Sequence, residues 1–324
     1  MIAGRIKWGW IGLLLIFGGI ACESSFAEQY PTRSIRNIVP FPPGATTDAV
    51  GRLMARELGK RLGQTVVVDN RGGAGGGLGT RIGAQAAANG YTLITTTNAV
   101  MTIVPQISDA GFDPFKDLVP VAFAGEAYSV LAVSPSLPVK SVGDLVAYAK
   151  RNPGKLNYGS AGVGSMAHIQ MELLKMKTGI EIVHVPFQGG GPAIGAAIAG
   201  EVQAVFDLAS FPHVESGRLR GLAVNGSDRW VGLPALPTMR EAGVKEWNFS
   251  LWYALLAPAK TPEHVVKLIS RHWADAMDDP QVNKQLRDLG LRPIKETPEM
   301  TAQRIRTDYK NMTELLKAAN IRKE

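Results

Sequence analysis

Residues 34–63, SIRNIVPFPPGATTDAVGRLMARELGKRLG, confine the start of the fold to a strand, a loop and an amphipathic helix, in that order. Ile35, Ile38 and Val39 make the apolar strand, and Pro40 with Pro42–Pro43 ends it, because proline donates nothing to a β-ladder. Thr46 or Thr47 fits an N-cap, and Asp48 stands in the first turn, where negative charge meets the positive end of the helix dipole. Val50, Leu53, Met54, Leu58 and Leu62 recur at helical spacing, and Gly63 suits the left-handed stop. A loop that delivers backbone N–H groups to a helix start is an anion site. The unit reads as one half of a carboxylate clamp.

The following segments continue the alternation. Thr65–Asp69 (TVVVD) and Tyr91–Thr97 (YTLITTT) are β-branched strands, with a helix over Gly79–Ala88 between them. A βαβαβ order predicts a parallel sheet with helices on both faces and ligands outside the carboxyl ends of the strands. That places the 41–47 loop and Asn98 on one rim, where Asn98 either touches ligand or forms the turn at the strand end. The glycine loop NRGGAGGGLGT after the second strand invites a dinucleotide reading. Its spacing fails, since Gly73-x-Gly75 is followed by Leu78 and Gly75-x-Gly77 by Thr80. No nucleotide or other cofactor is expected. The glycines let backbone pass close to its neighbours.

A second unit mirrors the first. In LNYGSAGVGSMAHIQMELLKMKTG (156–179), the strand Leu156–Tyr158 runs into a loop of small residues. Ser165 then caps a helix with Met166, Ile169, Leu173 and Met176 on one face and Gly179 at its end. Between the two units, Val119–Val133 has the length of a strand crossing from one domain to another, and Ser141 with Asp144 opens a further helix. If the domains face each other, two helix N-termini point into one cleft. A small dianion fits there, as does an acid gripped at one end whose other end is read by side chains. After a return strand, Leu251–Ala257, the chain is helical over Pro262–Met277, Pro280–Leu289 and Pro298–Ala319, with Thr261 and Thr297 as caps before first-turn prolines. These helices are expected to pack back on the first domain and make it discontinuous.

The N-terminus is not part of this fold. Arg5 and Lys7 precede an apolar run from Trp8 to Ile20 that is short for a bilayer span, and Ser25-Phe26-Ala27 offers small residues for cleavage after Ala27. Residues 1–27 are therefore expected to be a secretory signal. A lipid anchor at Cys22 is the weaker reading, because Gly19 stands where a larger aliphatic residue is usual. Cleavage removes Cys22, the only cysteine, and with it disulfides, thiol catalysis and cysteine metal sites. No later stretch has membrane length.

The formal net charge of +7 comes from Lys and Arg scattered over helices, such as Arg52, Arg56, Lys60, Lys150, Lys175 and Lys267. Without a dense run or interleaved aromatics, nucleic acid is not an expected partner. The five histidines form no HExxH pair or compact cluster, so no metal is expected. No Gly-x-Ser-x-Gly surrounds Ser160, Ser165, Ser210 or Ser227, and His168 reads as a helix-start or interface residue rather than a base.

Several ordered motifs carry a resemblance from about Tyr30 to the C-terminus: VPFPPGATTD (39–48), LNYGSAGVGSMAH (156–168), HVPFQGGGPAIGAAIAGEVQAVFD (184–207), GRLRGLAV (217–224), LPTMREAG (236–243) and LWYALLAPAKTP (251–262). Together they resemble the Bug family, the extracytoplasmic solute receptors of tripartite tricarboxylate transporters. The resemblance implies an α/β fold of the periplasmic binding protein type II kind, two α/β domains joined by two crossing strands with a ligand cleft between them. Domain 1 would comprise residues 28–129 and 252–324, and domain 2 residues 130–251.

By the same resemblance, Pro42, Pro43, Gly44, Ala45, Thr46, Thr47 and Asp48 would hold one ligand carboxylate, and Ser160, Ala161, Gly164 and Ser165 would meet the ligand from the other side. Phe187 and Asp207, at the end of a strand Val202–Asp207, would line the remaining wall; Asp207 either accepts a hydrogen bond from the ligand or caps the next turn. Ala45, Phe187 and Ala196 depart from common residues of the family, where glycine, tyrosine and aspartate are frequent. The implied function is periplasmic capture of a small carboxylate, an organic acid or amino acid, by a monomer that hands it to membrane transporter subunits. A sensor presenting the acid to a membrane sensor kinase is the alternative, and a secreted enzyme is less supported.

Overall fold

The computed structural model describes residue 1, residues 30–247 and residues 249–321. The signal and Cys22 otherwise lie outside the described residues. From Pro31 onward the chain is one compact unit built on two mixed sheets.

The first sheet takes β1 (Ile35–Val39), β2 (Val66–Asn70), β3 (Thr92–Thr97), β4 (Leu118–Ala127), β10 (Leu251–Pro258) and β11 (Leu291–Arg292) in the order β11-β4-β10-β3-β1-β2. The second takes β5 (Val130–Val133), β6 (Leu156–Ser160), β7 (Ile182–Pro186), β8 (Ala204–Asp207) and β9 (Arg220–Val224) in the order β7-β6-β8-β5-β9. The expected parallel pairing is present within β2-β1-β3 and β7-β6-β8. Each sheet is completed by antiparallel strands, β10 and β4 in the first and β5 and β9 in the second, so neither is purely parallel.

The single crossing strand expected over Val119–Val133 is two strands. At the break the Tyr128 N–H donates to Gly290 O of the first half (3.1 Å), and the Ser129 N–H to Asn225 Oδ1 of the second (2.6 Å). The backbone is thus handed from one sheet's partners to the other's within two residues. Gly125 just before it sits at φ +141°, where a Cβ would fall 2.2 Å from the Arg292 carbonyl oxygen. Only glycine lets β11 lie this close to β4.

The helices are α1 (Thr46–Leu62), α2 (Gly77–Ala84), α3 (Asn98–Thr102), α4 (Val104–Ile107), α5 (Val142–Arg151), α6 (Met166–Thr178), α7 (Gly190–Ala199), α8 (Phe211–Glu215), α9 (Glu263–Ala276), α10 (Pro280–Asp288) and α11 (Pro298–Ala318). Ser141, Ser165 and Thr297 cap α5, α6 and α11 through their hydroxyls, as their sequence contexts require. Three local expectations are corrected. The cap of α1 is Ala45, not a threonine; α9 starts at Glu263 behind Pro262 rather than behind Thr261; and α2 is shorter than 79–88, being entered through a 3₁₀ turn at Ala74–Gly76.

Two cores result. Ile94, Met101, Phe123, Trp252 and Leu256 pack together under the first sheet, while Leu131, Tyr158, Ile169, Leu174 and Phe206 fill the second. α11 belongs to both. Its Ile305 packs in the first core, and Met312, Leu315 and Leu316 pack in the second. The Trp252 indole N–H, donating to Asp308 Oδ2 at 2.7 Å, fixes the middle of α11 to β10. This helix therefore braces the two halves, where the expectation has it packing on the first alone. Among the described residues no helix is long and apolar enough to cross a membrane.

Candidate functional site

The first jaw is the loop between β1 and α1. Ala45 occupies the N-cap with extended backbone (φ −68°, ψ 156°), and its methyl group accepts nothing. Pro42, Pro43 and Gly44 lie on the exposed side of the loop. The Gly44 N–H, at φ +86°, donates to Asp48 Oδ2 (2.9 Å), which also accepts from Arg52 Nε (3.0 Å), while Asp48 Oδ1 accepts from Asn70 Nδ2 (2.9 Å). Burial raises the Asp48 pKa, but those donors outweigh it and hold the carboxyl below its usual range. Asp48 is thus the internal anchor of the loop. The backbone N–H groups of Thr46, Thr47 and Asp48 have no acceptor among the described residues. A side-chain cap would have consumed one of them; Ala45 leaves them for something else.

Facing this helix start is Tyr253 of β10. Burial pushes its phenol up to about 12; Thr47 lowers it by hydrogen bonding, Asp207 raises it through its charge, and Thr46 lowers it further. Tyr253 is therefore a neutral hydroxyl at physiological pH. Thr46 and Thr47 of α1 thus meet Tyr253 of β10, which comes from a distant part of the chain.

The second jaw is the loop between β6 and α6, and it is held from below by stacked rings. The Tyr158 and His184 rings are 4.9 Å apart and the His184 and His168 rings 4.1 Å apart. The Tyr158 hydroxyl donates to Glu172 Oε1 (2.6 Å), which also pairs with Lys175 (2.8 Å). Burial, with His168 adding, pushes His184 down to about 4, and burial lowers His168 against the pull of Glu172. Both are neutral rings. His184 Nε2 bonds Ser160 Oγ (2.6 Å), and His168 Nδ1 accepts from the Gly164 N–H (3.1 Å). His168 is thus a positioning residue of the loop.

Between the jaws lies an open cavity of about 650 Å³. Thr47, Thr97 and Tyr253 line it from the first half, and Ala161, Gly164 and Ser165 from the second. Ile103, Val104, Ile107, Val163 and Met166 supply an apolar wall, and among the described residues no charged side chain lines the cavity. At the rim the halves approach closely, since a Cβ on Gly164 would lie 2.8 Å from Ile107 Cδ1.

The expected site residues divide accordingly. Thr47, Ala161, Gly164 and Ser165 converge on the cleft, with Ala45 at its helix start and Thr46 beside Tyr253. Ser160, 1% exposed, is turned inward to His184 and its own loop. Phe187 packs beneath the second jaw against Gly159. Asp207 caps the turn after β8 by accepting from the Ala209 N–H (2.8 Å), with its pKa raised by burial, and is not among the residues lining the cavity. Asn98 is not on the cleft: it opens α3, donates to Ser250 O (2.6 Å) and lines a separate cavity of about 140 Å³ beside Asp308. Tyr253 is absent from the sequence-based expectation, as are the apolar wall residues. The only sequence signal for Tyr253 was its place in the LWYALLAPAKTP motif. Among the described residues no group of His, Cys, Asp and Glu is placed to hold a metal ion.

Comparison with known proteins adds three findings. The family model described as "Tripartite tricarboxylate transporter family receptor" matches residues 50–321. Protein BugT of Bordetella pertussis is 39% identical over 300 residues, covering 90% of each chain. Among solved structures, R. palustris Rpa4515 with adipate superposes with a TM-score of 0.80 at 34% identity, covering 91% of this chain and 100% of that one. MatC (Rpa3494) from Rhodopseudomonas palustris with bound malate gives 0.75 at 30% identity, covering 89% and 100%.

Proposed function

Because this chain belongs to the tripartite tricarboxylate transporter receptor family, we propose that it is a periplasmic solute-binding protein that captures a small carboxylate between its two halves. Delivery would be to the membrane subunits of a transporter of that type. The observation that carries the reading is the uncapped start of α1, whose Thr46, Thr47 and Asp48 N–H groups are unpaired among the described residues, where Thr47 and Tyr253 line a cavity between the halves.

A carboxylate seated there completes the helix cap that Ala45 lacks. Each hydrogen bond to a charged group contributes about 1.5–3 kcal/mol, and the α1 dipole adds to this in a cleft partly shielded from water. The adipate and malate named with two similar structures support a carboxylate as the ligand class. Rotation of the halves about the Ala127–Val130 and Ser250–Leu251 crossings would close the cleft and present the loaded form to the membrane partner. We place the domain boundaries at these crossings, with residues 28–129 and 252–324 in one domain and 130–251 in the other. The secretory signal over residues 1–27 and a monomeric receptor complete the reading.

Binding leaves the ligand chemically unchanged in this reading. Ser165 Oγ is engaged as a helix cap (3.3 Å from the His168 N), and the one ring nitrogen of His168 that faces the loop already accepts from Gly164.

Thermal-shift and calorimetric screening of the purified protein against a panel of organic and amino acids tests this, since a ligand for the native state raises its melting temperature. At least one acid should bind and be recovered intact, and its affinity should fall about 10- to 100-fold in Thr47→Pro, which deletes an N–H and a hydroxyl in the first helical turn. A folded Thr47→Pro protein with undiminished binding would place the carboxylate elsewhere. Product formation from any bound acid would overturn the receptor reading.

A further inference from the structure

We propose that the cavity beside Asp308 is a second ligand site, and that it takes a small organic cation, a primary ammonium on a short apolar body. The site is separate from the acid cleft and does not depend on what that cleft binds.

The cavity, of about 140 Å³, spans the joint between the halves: Asn98 of α3, Ser250 just before β10 and Asp308 of α11 line it together with Leu173 and Met176 of α6. Its polar atoms are acceptors that lack donors. Asn98 is 2% exposed; its Nδ2 donates to Ser250 O (2.6 Å), while its Oδ1 has no partner among the described residues. A buried acceptor in that state has lost its hydration with nothing in exchange unless a donor reaches it. Asp308 accepts from the Trp252 indole N–H at Oδ2 (2.7 Å), and among the described residues its Oδ1 accepts nothing. Burial pushes this carboxyl up to about 6; the Trp252 bond and Arg304 offset that only in part, and Glu126 and Glu296 add to it. An ionised carboxylate in such surroundings is short of positive charge.

The neighbouring cations are already engaged. Lys177, in the lining, pairs with Glu246 (3.2 Å), and Arg304 pairs with Glu126 (2.9 Å) and with Glu296. Glu314, also in the lining, adds negative charge and has no ion pair among the described residues. The charge here therefore favours a cation over an anion. An ammonium carries three donors on one atom, which Asp308 Oδ1, Asn98 Oδ1 and the second lone pair of Ser250 O can accept. The rest of the wall is apolar: Leu173, Met176, Phe249 and Leu315. Met176 is 46% exposed, and a hydrocarbon body would cover it, whereas a bare inorganic ion would leave it wet. A cavity of about 150 Å³ holds a benzene-sized guest, so this one has room for about four carbons beside the ammonium.

Calorimetric titration of the purified protein at about pH 8, where the Asp308 carboxyl is ionised, reads this directly. The probe is n-butylammonium; the ammonium ion lacks its body and 1-butanol lacks its charge. Butylammonium should bind with a dissociation constant of about 1 mM or tighter, and each of the other two at least about tenfold more weakly. No saturable binding of butylammonium, or either control binding as tightly, would overturn the proposal. Neither result bears on the carboxylate reading, because no candidate acid is present in the titration.

Two variants place the bound cation. Asp308→Asn keeps an acceptor for the Trp252 indole and removes the charge, and it should weaken butylammonium about tenfold or more. Met176→Lys changes a half-exposed lining position, brings a tethered ammonium to the same acceptors and should abolish binding of the added one. Circular dichroism checks that each variant is folded. Undiminished butylammonium binding in either folded variant would put the cation elsewhere and overturn the assignment.

Discussion

At the scale of single residues, Ala45 decides the character of the cleft. Helix starts favour serine, threonine, aspartate or asparagine because their side chains satisfy an early N–H. Here that position holds a methyl group, and the helix is left under-capped beside a cavity. Ala45→Ser should stabilise the ligand-free protein by about 1 kcal/mol and weaken acid binding, since the hydroxyl competes for the same donors. Thermal melts with and without ligand check both halves of this expectation; a serine variant that binds more tightly would refute the competition. Tyr253 is the complementary lesson. Its neighbours Trp252, Ala254 and Leu255 are equally good strand residues, and nothing local marks the tyrosine. Only the register slip between Tyr253 and Ala254 and the arrival of Thr47 from another element bring it into the site.

At the scale of elements, the strand–loop–helix units were legible because their causes are local: prolines that end a ladder, hydroxyls that cap, glycines that stop a helix. Ser165 and Thr297 cap their helices, and Gly63 and Gly179 take the left-handed conformation. What could not be read was which donors each loop keeps for itself, because the acceptors lie on other elements, as His184 of β7 does for Ser160.

The ring stack under the second jaw also makes a pH prediction. His184 titrates near 6.5 in the unfolded chain and is pushed to about 4 in the fold, so between these values the unfolded state binds more protons. Its contribution is present above about pH 6.5 and is lost as pH falls toward 4. Asp308, raised to about 6 by burial, acts in the opposite sense over much of this window, because there the folded state binds the extra proton. The clean measurement is therefore a difference. Stability of the parent and of His184→Phe, followed by urea unfolding from pH 7 to 4.5, should converge or cross on acidification as the parent loses what His184 contributes. Parallel curves would show that His184 carries no such linkage.

At the scale of the whole molecule, α11 joins the two cores. Ile305 lies in the first, and Met312, Leu315 and Leu316 in the second, with Asp308 pinned between them by Trp252. Leu316→Ala should cost about 2–5 kcal/mol, and far-UV circular dichroism and tryptophan fluorescence should still report one coincident transition, because the brace makes each core depend on the other. Two separated transitions in the unmodified protein would contradict this coupling.

What the sequence determined by itself is the set of local pieces: the paired strand–loop–helix units, most of the caps, and the family pattern that pointed to a carboxylate receptor. These rest on interactions within a few residues, which periodicity and turn chemistry expose. The tertiary structure alone decided that the crossing breaks at Tyr128–Ser129, that Asn98 leaves the rim and that Tyr253 joins it. A hydrogen bond between groups from distant strands leaves no trace in the local pattern of either partner.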